Sequence, residues 1–215
     1  MAGKVNWQMS GSEVEAESFR RIEIEAPDHS FDEREWHIAR RLIHTTGDFS
    51  IIEQLKFRHN PIEAGLQAMA RGMPIFCDSN MARSGVSVAR LQKINPAYEK
   101  ASLRCYIADP DVADTATARG CTRALAAVEK ARPILSGSIV LIGNAPLALA
   151  TIVRLAQEEE IRPALVIGIP VGFVNVVEAK EMLSESNLPH IVVEKRRGGS
   201  ALAVATLHAI IENWK

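Results

Sequence analysis

The sequence predicts a single α/β domain in three layers, α/β/α, with helices on both faces of a mostly parallel sheet of about five strands. From about residue 73 onward, short apolar runs alternate with longer helical stretches. Those runs are continuously apolar, the pattern of strands buried on both faces. The segments that follow them are rich in Gly, Asn, Ser and Pro, which suits turns at the carboxyl ends of parallel strands.

Taken in order, residues 1–15 read as a flexible tail and residues 16–215 as the domain. The opening "MAGKVNWQMSGSEVEAE" lacks the apolar run of a signal peptide. The first clear helix start is "SFDE", with Ser30 three residues ahead of Glu33 as a capping box. Trp36, Ile38, Leu42 and Ile43 follow as its buried stripe, and His44 stands where the stripe runs out, before Thr45, Thr46 and Gly47. "NPIE" offers Asn60 as N-cap and Pro61 at the first helical position, with Ile62, Leu66 and Met69 on one face and Gly72 and Pro74 closing the helix. The strands are read at "MPIFC", "LRCYIA", "SIVLIG", "ALVIGI" and "HIVVE". Helices fill the intervals, and "GGSALAVATLHAIIENW" makes the last one. After the strands come "DSNMARSG", "DPDV", "NAP", "PVGFVN" and "KRRGGS". In a parallel sheet several of these converge on one edge, so a polar-lined cleft is expected there.

Composition narrows the function classes. At 47% hydrophobic and 24% charged the chain can bury a substantial core. Aromatics at 5% argue against base-stacking platforms, and a net charge of −1 supplies no global field for nucleic acid or an acidic membrane. Cys77, Cys105 and Cys121 share no CxxC spacing and sit in apolar segments, which suits a reducing cytoplasm. No stretch is apolar enough to span a bilayer.

The chemistry-bearing motifs admit two readings each. "IGNAP" leads into a helix, so its amides either bind an anion or form an ordinary turn capped by Asn144. "KRRGGS" sets Arg197 before Gly198, Gly199 and Ser200 at a helix start, a carboxylate site or a solvated charge run. Arg123, in an otherwise small and apolar helix, either snorkels or points into the cleft. There is no GxGxxG, no P-loop and no GxSxG elbow, and none of the six histidines has metal-ligand spacing. His44 is left as the best acid/base candidate, with the Thr-Thr-Gly turn available to fix its tautomer; otherwise it is a structural helix-end residue.

Taken together, "ESFRRIEIEA", "RRLIHTTGDFS", "AGLQAMARGMPIFCDSNM", "GCTRA", "VLIGNAPLAL", "RPALVIGIPVGFV", "EAKEML" and "RRGGSALA" resemble the precorrin-8X methylmutase family of cobalamin biosynthesis. The family includes the cobalt-precorrin-8 methylmutases, and the resemblance covers nearly everything after the tail. It implies migration of a methyl group from C-11 to C-12 of a corrinoid ring, without redox change or cofactor. It further implies a histidine proton donor, matched by His44, a substrate-contacting serine, matched by Ser18, and a homodimer. The tetrapyrrole carries many carboxylates, and the groups expected to hold it are Thr45 beside the histidine, Asn80, Asn144 and Gly172 at strand ends, Arg123, and the Arg197–Ser200 run. The chain departs from the family at Asn175, where a small residue is usual, and at Glu194-Lys195-Arg196-Arg197, where "RGR" is usual. Two rival readings are a non-catalytic tetrapyrrole carrier and an unrelated α/β enzyme that binds a phosphorylated substrate at "IGNAP".

Overall fold

The computed structural model describes Val5 and residues 7–214. Helix α1 (Gly11–Glu25) opens on a complete capping box: Ser10 Oγ accepts the Glu13 N–H, and the Glu13 carboxylate accepts the Ser10 N–H. It begins inside the stretch 1–15 expected as a tail, of which residues 1–4 and 6 lie outside the described residues. Ile22 is its sole buried residue, so no apolar stripe announces it; the cap sets its start.

Helix α2 (Glu33–Thr46) is capped by Asp32, not Ser30. "SFDEREW" holds two overlapping boxes, and the helix takes the second: the Asp32 carboxylate accepts the Glu35 N–H at 2.8 Å. That start leaves Phe31 just outside the helix, where it packs edge-on against Phe57 at 5.7 Å between ring centroids. An apolar residue before the cap fixes the entry of the chain. Gly47, at φ 65°, closes α2, and its N–H reaches Ile43 O at 2.7 Å. A short helix α3 (Ile51–Gln54) leads into strand β1 (Leu55–Arg58), and helix α4 (Pro61–Ala70) starts on its proline as expected. Asn60 makes no side-chain cap; it sits at φ 54°, where Asn is tolerated better than most residues.

The remaining strands and helices follow in alternation: β2 (Ile75–Cys77), α5 (Asn80–Gly85), α6 (Val88–Leu91), β3 (Leu103–Arg104), α7 (Pro110–Arg119) and α8 (Arg123–Leu135). Then come β4 (Ile139–Ile142), α9 (Pro146–Glu158), β5 (Leu165–Gly168), α10 (Val176–Ser184), β6 (His190–Val193) and α11 (Ser200–Glu212). The sheet order is β1-β6-β5-β4-β2-β3. Strands β2 to β6 run parallel, as the apolar runs predict, and β1 adds a sixth, antiparallel to β6. "LKFR" escapes the reading of about five strands because an edge strand need bury only one face: Leu55 and Phe57 pack inward while Lys56 and Arg58 alternate with them.

The sheet divides the core in two by simple alternation. Ile75, Ile139, Leu141, Leu165, Ile167, Ile191 and Val193 face α2, α4, α5 and α11. Phe76, Val140, Ile142, Val166 and Val192 face α8, α9 and α10. This is the predicted three-layer α/β/α domain. Helix α11 is the centrepiece of the first face, packed against α2, α5, β4 and β5, and it buries nine residues from Ser200 to Ile211. Among the described residues no helix is long and apolar enough to cross a membrane.

Candidate functional site

The turn "IGNAP" is already occupied. Asp78, which ends β2 and is 2% exposed, aims its carboxylate at the neighbouring strand end. It accepts the Gly143 N–H at 3.1 Å and the Asn144 and Ala145 N–H groups at 2.7 Å each. The positive end of α9 is therefore neutralised from within the fold. Burial pushes the Asp78 carboxyl up, and the three amides oppose that push. This overturns "IGNAP" as an anion site for a ligand. Asn144 is no side-chain cap either: Ala145 is the N-cap, with no side-chain cap hydrogen bond, and Asn144 is exposed.

The corresponding end of α11 is open. Gly199, at φ 134°, is its N-cap, and among the described residues no acceptor meets the N–H groups of Ser200, Ala201 and Leu202. The chain can enter here only because two glycines permit it. A Cβ on Gly143 would stand 2.5 Å from Ser200 Cα, and one on Gly198 would stand 2.2 Å from Ile169 O. The Ser200 hydroxyl, 2.9 Å from that of Ser79, ties the start of α11 to the loop after β2. Arg197 turns back instead of projecting freely: its guanidinium pairs with Asp48 and donates to Ser50 Oγ at 2.9 Å. That hydrogen-bonded pair holds the Asp48 carboxyl down at about 2.

Between the end of α2 and the start of α11 lies a cleft of about 410 Å³, lined by His44 and Thr45, Met81 and Gly85 of α5, and Ser200 and Ala201 of α11. His44 is exposed to it. Its ring meets Phe19 edge-on, 5.4 Å between centroids, and among the described residues nothing hydrogen-bonds its nitrogens. The threonines do not fix its tautomer: Thr45 Oγ1 donates to Arg41 O at 2.8 Å and Thr46 Oγ1 to Leu42 O at 2.9 Å. A threonine hydroxyl on a helix bonds the carbonyl one turn back more readily than a neighbouring ring. His44 is thus a solvent-facing imidazole with both nitrogens available for proton transfer.

His208 of α11 lines the same cleft, a residue the sequence did not single out. Its Nε2 accepts the Ser87 N–H at 3.1 Å, and burial drives its pKa down to about 4, so it is neutral at pH 7. Behind the cleft, Glu212 gathers His37, Arg41 and Arg90. Burial raises the Glu212 carboxyl, but the bonds from His37 and Arg41, with the charges of Arg41 and Arg90, hold it at about 2. A helical 1,4-spacing places Arg41, His208 and Glu212 on facing stripes; reading it needs the pairing of α2 with α11, which is tertiary.

Of the other expected substrate contacts, Asn80 opens α5 beside Met81, exposed at the same strand-end edge. Gly172 lies in the loop after β5, where its N–H reaches Arg196 O at 3.3 Å. Ser18 sits half-buried on α1 next to Phe19, outside the lining of the His44 cleft. Arg123 is exposed at the first position of α8, also outside that lining. Arg83, Arg123 and Arg196 make no ion pair among the described residues, and Arg196 lies over the Phe173 ring at 5.2 Å. A larger cavity, about 680 Å³, opens between α2, α4 and the chain's end, but its cations are spoken for: Arg34 by Glu63, Arg40 by Glu23 and His37 by Glu212. Cys77 and Cys105 are buried, which pushes both thiols up and away from nucleophilic duty.

Fold and site define a doubly wound α/β protein with an open cleft at the carboxyl ends of its strands, where, among the described residues, a histidine and a helix N-terminus have no hydrogen-bond partner. The sequence profile of the precorrin-8X methylmutase family matches residues 13–213, and the chain belongs to that family. It is 40% identical to a cobalt-precorrin-8 methylmutase of Leptospira interrogans, over 94% of this chain and 93% of that one. It is 36% identical to a precorrin-8X methylmutase of Pseudomonas aeruginosa, over 96% and 97%. The solved structure of a precorrin-8X methylmutase from Thermus thermophilus superposes with a TM-score of 0.84 at 43% identity, covering 94% and 95% of the two chains. The chain is accordingly an isomerase of the methylmutase kind.

Proposed function

We propose that this chain moves a methyl group from C-11 to C-12 of precorrin-8X or cobalt-precorrin-8, giving hydrogenobyrinate or cobyrinate, with His44 as acid and base. The observation that carries this reading is the shared cleft: His44 and Thr45 on one wall, the start of α11 on the other. A macrocycle seated there would meet an unbonded imidazole, while one of its carboxylates would find the free amides of Ser200 and Ala201. His44 gives its proton to the conjugated ring, the methyl migrates to the adjacent carbon, and the product returns the proton to His44. Atoms and electrons balance within the substrate, so the reading asks for no cofactor and no metal. Among the described residues no three His, Cys, Asp or Glu side chains cluster as metal ligands.

In the same reading Arg123, Arg196 and Asn80 meet further carboxylates at the rim, Ser18 closes the site from α1, and the enzyme works as a cytoplasmic homodimer. Asn175 adopts φ 60° at the start of α10, a left-handed conformation that Gly and Asn both tolerate. The test is His44→Ala. Conversion of precorrin-8X to hydrogenobyrinate, followed by absorption spectra, is expected to fall by at least 10³-fold, within the range general acid–base groups supply. Product binding is expected to stay within about threefold; undiminished turnover sinks the assignment.

A further inference from the structure

Lys180 is a buried ionisable base, 2% accessible on α10, and the mechanism above makes no use of it. Among the described residues its ammonium meets no carboxylate. It donates instead to two main-chain carbonyls of the loop that follows β6: Lys195 O at 2.8 Å and Arg197 O at 2.7 Å. Burying an ammonium costs several kcal/mol unless it is well bonded, and burial pulls this one down to about 8. Such a group persists where the backbone needs donors that regular structure cannot provide.

That loop has such a need. Lys195 stands at φ 59°, a left-handed conformation that is strained for a residue with a Cβ, and its own carbonyl is one of the two that Lys180 holds. Two residues on, the carbonyl of Arg197 is held inward while its guanidinium reaches outward to Asp48 and Ser50, immediately past the His44 turn. Gly198 and Gly199 then lead into the open end of α11. One buried nitrogen therefore fixes the segment that links both walls of the cleft.

We propose that Lys180 is a positioning residue for substrate binding: by holding the carbonyls of Lys195 and Arg197 it keeps Arg197 paired with Asp48 and presents the amides at the start of α11 to the cleft. The inference rests on the reading of that cleft as the corrinoid site, and the experiment separates the two. Lys180→Met keeps the length and apolar stem of the side chain but removes the donor. In the ligand-free protein, amide hydrogen exchange over residues 195–201 is expected to speed at least tenfold, while exchange in the β4 and β5 amides stays unchanged. Unchanged exchange at 195–201 overturns the proposal whatever the substrate is.

The second arm titrates hydrogenobyrinic acid against wild type, Lys180→Met, Arg197→Ala and the double variant. Product affinity is expected to fall at least tenfold in Lys180→Met, with turnover at saturating substrate within threefold of wild type. The added effect in the Arg197→Ala background is expected to shrink below threefold, because the two changes act through one segment. Equal, additive losses in both backgrounds, or affinity within twofold of wild type, overturn the positioning role. If wild type itself fails to bind the corrinoid, the functional reading falls while the exchange result still judges Lys180. Should Lys180→Met not fold, Lys180→Gln, which keeps a donor without the charge, is read by the same two arms; exchange and affinity both at wild-type levels there overturn the role of the ammonium.

Discussion

A carboxylate buried against three amides stabilises the fold only while all three donors stay in place, and Asp78 is in that position at the end of β2. Asp78→Ala leaves those N–H groups unpaired in a nearly sealed pocket, and a loss of about 3 kcal/mol is expected in urea unfolding. The same variant reopens the nest at the start of α9, so phosphate is expected to raise the melting temperature of Asp78→Ala by a few degrees more than that of wild type. Loss below about 0.5 kcal/mol would deny Asp78 its structural part. The residue scale is also where the sequence misleads most. "IGNAP" has the spacing of an anion site, but nothing in the sequence tells that an aspartate 66 residues earlier than Asn144 fills it. Arg197 and Ser200 are legible as a pair because "RRGGS" is local; Asp48 as the partner of Arg197 is not, since the contact spans 149 residues.

At the scale of elements, the cleft exists because α2 and α11 are latched together at their far end by Glu212, His37, Arg41 and Arg90. That latch carries a pH signature. Glu212 is held at about 2 in the fold against an ordinary 4.5, so its contribution is complete above the unfolded value and lost as pH falls through about 2. His208, driven to about 4 from 6.5, loses stability in the same direction over a higher window, because the unfolded chain takes up its proton first. Acid unfolding is therefore expected in two stages, a decline from pH 6.5 to 4 and another from 4.5 to 2, each worth up to about 3 kcal/mol. His208→Asn, able to accept from Ser87, is expected to flatten the upper stage and spare the lower. A wild-type stability curve that is level between pH 6.5 and 4 would contradict the buried, neutral state of His208. Helix and strand identities in this latch were legible from periodicity, β2 to β6 above all, since both-face burial leaves a continuous apolar run. Strand β1 and helix α1 were not, because an edge strand buries one face and α1 buries one residue.

For the molecule as a whole, the edge of the sheet that carries the cleft also carries large exposed apolar side chains. Phe173 is 82% exposed, Val174 75% and Met81 73%, on loops that follow β5 and β2. Apolar side chains grouped at one edge signal a partner, and a net charge of −1 offers little repulsion to a second copy. A two-fold pairing through this edge would lay one protomer over the mouth of the other's cleft and shield a bound macrocycle from water, as an isologous dimer allows. Sedimentation equilibrium is expected to give twice the chain mass of 23.6 kDa at micromolar concentration. Phe173→Asp places a charge in the middle of the patch without touching His44, and it is expected to shift the mass toward a single chain. The corrinoid product should then exchange faster from the variant than from wild type, since its cleft would be open on both sides. A wild-type mass of one chain, or a Phe173→Asp protein that remains fully dimeric, would move the interface away from this edge and leave the patch to the ligand alone.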